Sequence, residues 1–472
     1  MSTGAAGLLM LLTLGVATVV TGLPVWALLI AVASAFAAVG VVGGVFPLHV
    51  LAALPGRITG LLEHDLLQAL PLYVLVGLLL QRLQLAGDVF DMLRKVLRRS
   101  GAGDGLAGLW LGALIAPLNG SVASSSAMLG RMLTPRLTQR LAPAQTTALV
   151  SVAATVGVVV PPSLVLLLLG DALMRAHTEA QRLPGAVAAT RIINTQDLFH
   201  AAIVPSLALL VLWSLLAWWQ GRRSGAVPEA LPRLPVGKIL QALAAVLALL
   251  GLLISVTVGW MLAVEAAATA SVTMILLALV RRSLSAADWV ELLQETMVLT
   301  GALFALLLGA TTFSLVFWLF GTDRWLAEAL AHATLPPAGM ATVLLLGVAA
   351  CAWVLDAFEM IFVVIPLIAP HLIVRMGDAQ QAGVLLLLVL QMSFLLPPMG
   401  YAVLLARARV GPTALSVLLR AMAPYLAVQV LVTLAVAWWP ASVHVLDSAA
   451  PAGEASSMSL EEAEKAMLDM GQ

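Results

Sequence analysis

Asp356 and Glu359 stand three residues apart in a stretch that is otherwise apolar from Val343 to Pro370. On a helix that spacing puts both carboxylates on one face. Carboxylates inside an apolar segment are costly to bury, so this pair is a candidate for binding a cation or carrying a proton, with a structural hydrogen-bonded pair as the competing reading. Two double prolines, Pro161-Pro162 and Pro397-Pro398, add oxygen ligands of another kind. Each proline lacks an N–H and leaves the carbonyl four residues earlier without its helical donor. The carbonyls released would be those of Gly157 and Val158 in the first case, and of Ser393 and Phe394 in the second. Asn119-Gly120-Ser121-Val122-Ala123-Ser124-Ser125-Ser126 offers an amide, several hydroxyls and a glycine that permits unusual backbone angles. Such a loop can bind an ion or an anion, or it can serve close helix packing.

These are oxygen-only groups, suited to a hard cation such as sodium. The sodium ligands expected from the sequence are Asn119, Ser121, Gly157, Asp356 and Ser393. Other chemistries fare badly. The only Gly-Lys pair, Gly237-Lys238, lacks the rest of a phosphate-binding loop, which argues against ATP as the driving force. The seven histidines form no metal-ligand spacing, and there is no Gly-x-Ser-x-Gly elbow, so the sequence does not read as an enzyme and calls for no cofactor beyond coupling ions.

The elements that must position these groups are membrane helices. Of 472 residues, 61% are hydrophobic and 10% charged, more apolar surface than a soluble domain can hide. A span needs roughly 20 apolar residues. Stretches near 5–21, 24–48, 66–84, 143–172, 198–219, 239–256, 259–280, 296–320, 380–406 and 412–438 qualify as full spans. Two further regions, 105–133 and 338–374, are interrupted by the polar residues above and read as re-entrant helical hairpins, since irregular backbone at membrane depth survives only where protein or water surrounds it. The alternative is a pair of ordinary kinked spans. No Lys or Arg precedes the first apolar run, so no cleaved signal peptide is expected. A single cysteine, Cys351, excludes an intrachain disulfide. The zero net charge gives no hint of nucleic acid.

The chain also repeats itself. An amphipathic stretch at Asp88–Arg99 is followed by the Asn-Gly-Ser break and then by Pro161-Pro162; another at Asp323–His332 is followed at matching intervals by Asp356 and then by Pro397-Pro398. Arg94, Lys95, Arg98, Arg99, Arg131, Arg136 and Arg140 crowd the first copy, whereas the second is near neutral, which puts the first set in the cytoplasm. The expectation is an all-α polytopic membrane protein of two inverted repeats, each of about five transmembrane helices plus one hairpin. The repeats cover 1–220 and 239–440, joined by a cytoplasmic connector at 221–238 and followed by a polar tail at 441–472, with both termini outside.

With these features in view, the sequence resembles the large membrane subunit of TRAP (tripartite ATP-independent periplasmic) transporters. The resemblance runs over roughly 20–440 and is carried by Pro71-Leu72-Tyr73-Val74-Leu75-Val76-Gly77, Val160-Pro161-Pro162-Ser163, Leu355-Asp356-Ala357-Phe358-Glu359 and Gln391-Met392-Ser393-Phe394-Leu395-Leu396-Pro397-Pro398-Met399-Gly400. It adds Ser163 and Gly400 to the candidate site residues. It implies a bacterial inner-membrane protein, coupled to sodium, that imports a carboxylate received from a periplasmic binding protein and works with a small four-helix membrane subunit. Leu396 stands where the family commonly has a threonine, which removes a possible hydroxyl ligand. A single-component sodium- or proton-coupled anion symporter is the other transporter reading.

Overall fold

The computed structural model describes residues 4–63, 65–83, 85–97, 102–119, 122–183, 193–223, 235–331, 336–352, 355, 357–396 and 400–447. Gly120, Ser121, Asp356, Pro397 and Pro398, all singled out above, lie outside them, as does the side chain of Asn119. Among the described residues there is no strand.

The chain opens with α1 (Ala5–Thr21) and α2 (Val25–Val42), then descends through a short turn into α3 (Ala53–Leu62) and α4 (Asp65–Gln68). α5 (Leu70–Arg82) meets α6 (Leu85–Leu97) at a bend of 64°. α7 (Gly103–Asn119) and α8 (Val122–Leu137) pack against each other as the arms of a hairpin. α9 (Pro143–Val159) and α10 (Leu164–Ala180) form one helix broken by 43°. α11 (Thr195–Arg223), α12 (Val236–Val258) and α13 (Ala263–Arg281) lead into the 34-residue α14 (Ala286–Leu319) and the short α15 (Thr322–Ala331). A second hairpin has α16 (Pro337–Ala352) as one arm; its other arm is α17 (Ala357–Glu359), one π-helical turn at Met360–Val364 and α18 (Ile365–Met376). The broken pair α19 (Ala379–Ser393) and α20 (Tyr401–Val410) follows, and α21 (Leu415–Trp438) ends the helical part.

The helix pairs α7–α8 and α16–α18 occupy the two regions that the polar residues interrupt. Two stretches that read as continuous spans, 143–172 and 380–406, are instead broken at their proline-containing segments: α9 ends before Pro161-Pro162, and α19 ends at Ser393. The second hairpin's distal arm, Ala357–Met376, is itself long and apolar enough to cross a membrane. Seven described helices meet that condition, or nine if each bent pair counts as one.

The order of helix, amphipathic helix, hairpin, broken helix and long helix occurs twice, in α5–α11 and in α14–α21. The packing is reciprocal. α20, the second half of one broken helix, lies against α8 and α9; α10, the second half of the other, lies against α18 and α19. α9 and α19 are buried along nearly their whole length and form the centre. Buried hydroxyls there return their protons to backbone carbonyls of the same helix, as in Ser151 Oγ to Thr147 O at 2.7 Å. Small residues allow the close approach on which helix packing in lipid depends: Gly112 of α7 sits on the Ala153 carbonyl of α9, where no Cβ would fit, and Gly105 faces Leu149. Trp213 of α11 donates to the Tyr425 carbonyl of α21, and Tyr425 donates in turn to Gln220.

The outer face suits lipid, not water. α12 exposes Leu240, Leu243, Leu247 and Ile254, and Trp260, Trp438 and Trp439 stand exposed at helix ends, where amphipathic rings settle at a membrane interface.

Candidate functional site

A cavity of about 280 Å³ lies where the two hairpins and the two broken helices converge. Val122 and Ser124 bring the start of α8 to it, Leu164 and Val165 the start of α10, Ala357, Phe358 and Glu359 the start of the second hairpin's distal arm, and Phe394 and Tyr401 the two sides of the α19–α20 break. Its remaining wall comes from α2, α5 and α14, which contribute Trp26, Val74, Leu78 and Leu299 among others. Among the described lining residues Glu359 is the only charged one, and it is 3% exposed.

The local structure explains how each broken helix reaches this point. Val160 turns extended after α9, and Ser163 begins α10 as its N-cap: its Oγ accepts from Leu166 N at 3.1 Å and donates to the Val158 carbonyl at 2.7 Å. One of the two carbonyls expected to be released is therefore already engaged within the break. No described residue donates to the other, that of Gly157. At the second break, Leu396 N reaches back to the Ser393 carbonyl at 3.4 Å, while no described residue donates to the Phe394 carbonyl. The Ser393 hydroxyl is turned to the Leu390 carbonyl at 2.6 Å. Gly400 closes over this segment so tightly that a Cβ would stand 2.8 Å from the Phe394 carbonyl oxygen and 2.9 Å from that of Leu396. Of the four carbonyls expected to be released, those of Gly157 and Phe394 thus meet no donor among the described residues. Pro161 and Pro162 are buried in the first break, and Pro161 also faces a separate apolar recess beside α11 and α12.

Over residues 11–442, the chain matches the family described as "Tripartite ATP-independent periplasmic transporter, DctM component". The chain belongs to that family. It is 23% identical over 374 residues to the C4-dicarboxylate TRAP transporter large permease protein DctM of Rhodobacter capsulatus, covering 76% of this chain and 82% of that one. Its fold is similar to the crystal structure of the Alcanivorax borkumensis YdaH transporter, with a TM-score of 0.56 at 16% identity over 83% of this chain and 88% of that one. As a TRAP large permease the DctM-family chain is a multi-pass membrane component of a secondary transporter that uses a periplasmic binding protein, and it is not an enzyme.

The structure brings Ser124, Glu359 and Phe394 to one cavity and holds Ser163, Ser393 and Gly400 in the breaks beside it. Asn119 ends α7, three residues before Val122 begins α8 at the cavity wall. Trp26, Gln81 and Tyr401 were not singled out in the sequence. Gln81 Nε2 donates to Ser124 Oγ at 2.6 Å, and its Oε1 accepts from Arg131 Nη2 at 3.2 Å. A lone amide in the apolar α5 was the available signal. Tyr401 directly follows Gly400, and Trp26 opens an apolar helix with nothing in its neighbourhood to mark it.

Proposed function

We propose that this chain is the translocating subunit of a sodium-coupled importer of an organic acid, working in the bacterial inner membrane with a small four-helix subunit and a periplasmic binding protein that delivers the carboxylate. The observation that carries this reading is the cavity where both hairpins and both breaks meet, with no Lys, Arg or His among its described lining residues. A carboxylate held there finds no cationic side chain. Its countercharge has to arrive with it, and cations bound to backbone oxygens supply it, as in transporters built on broken helices. The carbonyls of Gly157 and Phe394, the Asn119-Gly120-Ser121 tip and Asp356 are the ligands this requires. A cavity of about 280 Å³ is at the small end of ligand sites, roughly 300–1,000 Å³ for larger molecules, which suits a small acid. The C4-dicarboxylate named for the Rhodobacter relative is the first candidate class.

The duplicated element order supports two inverted repeats of five crossings each, with the basic residues of the first copy in the cytoplasm and both termini outside. Alternating access then moves the hairpins and broken helices relative to α2, α5 and α14. Proton coupling is the second reading, because Glu359 is a carboxylate in the cavity wall. Uptake of succinate into proteoliposomes holding both membrane subunits and the binding protein separates the readings. Sodium-driven uptake that survives collapse of the proton gradient is expected; uptake indifferent to replacement of sodium by potassium would overturn sodium coupling.

A further inference from the structure

We propose that Arg131 and Arg409 form a cationic port through which the transported carboxylate leaves the cavity, with Gln81 linking that port to the cavity wall. This rests on the carboxylate reading and on the sidedness given above.

The cavity's described lining offers Glu359 and no positive side chain. When the coupling cations depart, a carboxylate left there has lost its countercharge, and the next positive groups along its path decide how readily it follows. Two helices run outward from the cavity wall in mutual contact: α8, which passes Ser124, and α20, which begins at Tyr401. Each carries an exposed arginine about two turns out. Arg131 is seven residues beyond Ser124, about 10 Å along the axis, and Arg409 eight beyond Tyr401, about 12 Å.

The two are held at the same level. A Cβ on Gly130 would stand 2.7 Å from Arg409 Cδ and 3.3 Å from its Nε, so the Arg409 side chain crosses α8 at the residue next to Arg131, in space that only glycine leaves open. A polar track leads inward from there. Arg131 Nη2 donates to Gln81 Oε1, and Gln81 Nε2 donates to Ser124 Oγ on the cavity wall.

The neighbouring cations already have partners. Arg82 is held by Glu291 and Glu295, Arg94 and Arg140 by Asp104, and Arg136 by Asp91. Arg407, next on α20, gives its Nη2 to the Thr413 carbonyl. Among the described residues neither Arg131 nor Arg409 meets a carboxylate. The Arg82 cluster carries one net negative charge on the α14 side of Gln81, so an anion emerging there is directed to the α8–α20 side.

A lipid phosphate has the same charge chemistry as a carboxylate, and the test separates them. Ala127, half-buried between Ser124 and Arg131 on the same face of α8, is replaced by Cys in a Cys351→Ser background of the full chain with its small subunit. Proteoliposomes are made from phosphatidylcholine, with and without phosphatidylglycerol. The readout is the rate ratio for a sulfonate-bearing against an ammonium-bearing methanethiosulfonate. A ratio of about ten is expected in both lipid mixtures, falling to about one in R131Q/R409Q and to about three in G130V, which keeps both arginines but displaces Arg409. A ratio near one with both arginines present, a ratio unchanged by the double variant, or a ratio that rises only when phosphatidylglycerol is omitted would each overturn the port. Succinate uptake by the unaltered protein is measured in the same vesicles. Its absence would count against the carboxylate reading while leaving the reagent ratio as it stands.

Discussion

The Ser163 hydroxyl stands 2.7 Å from the Val158 carbonyl, across the four-residue break that holds Pro161-Pro162. One side chain thereby caps the incoming half-helix and occupies a carbonyl that the prolines had released from the outgoing one. Replacing Ser163 with Ala removes both contacts. An N-cap loss costs about 0.5–2 kcal/mol, so a lower thermal midpoint in detergent is expected. The sodium half-saturation should change by less than about threefold, because the open carbonyl is that of Gly157; a larger shift would move Val158 into the ion site.

Gly400→Ala tests the second break. The added Cβ would meet the Phe394 carbonyl oxygen at 2.8 Å and the Leu396 nitrogen at 3.0 Å, both backbone atoms that cannot swing aside. Normal insertion with sodium-driven uptake reduced at least tenfold is the expected result. Unimpaired uptake would remove the Phe394 carbonyl from the ion ligands.

The two carboxylates of the second hairpin separate the coupling ions. Asp356→Asn keeps the size and one acceptor but loses the charge, and should abolish sodium-driven uptake in a protein that still inserts. A charged hydrogen bond is worth about 1.5–3 kcal/mol, roughly tenfold or more in apparent sodium affinity. Glu359→Gln should lower the uptake rate and leave the sodium dependence in place. If instead it abolishes a proton-driven component, Glu359 carries the coupling proton.

Beyond the last helix, His444 lies 2.7 Å from Asp378 and 2.9 Å from Asp447, and Gln380 donates to Asp447. Partial burial works against protonation of His444, but the hydrogen bonds and charges of Asp378 and Asp447 outweigh it and raise its pKa above the ordinary 6.5. A raised folded-state value means that the contact contributes fully below about 6.5 and is lost as pH climbs through the higher folded-state value. Amide-exchange protection at 440–447 should therefore hold at pH 6 and decline at alkaline pH. His444→Gln should remove this pH dependence; a decline that persists in the variant would place the titrating group elsewhere.

Much of the architecture was legible because lipid imposes it. The hydrophobic runs, the two polar interruptions and the matched proline pairs follow from the cost of unsatisfied backbone in hydrocarbon, and that cost is written along the chain. The hairpin at Gly103–Leu137 contains the expected 105–133, and α11 and α21 bracket or match their predicted spans within a few residues. Hydropathy alone did not separate α9 from α10 or α19 from α20, since residues on both sides of each break are apolar.

The sequence by itself determined that the chain lives in a membrane and that its polar candidate residues fall at interruptions of its apolar runs. Those properties depend on local composition and spacing. Only the tertiary structure decided that Ser124, Glu359 and Phe394 share one cavity, that Ser163 takes up the Val158 carbonyl, and that Arg409 crosses α8 at Gly130 beside Arg131. Apart from the local Ser163–Val158 contact, these meetings are long-range: Ser124 and Glu359 are 235 positions apart and Gly130 and Arg409 are 279, and they come together because α20 packs against α8 and α10 against α18, which no local pattern encodes.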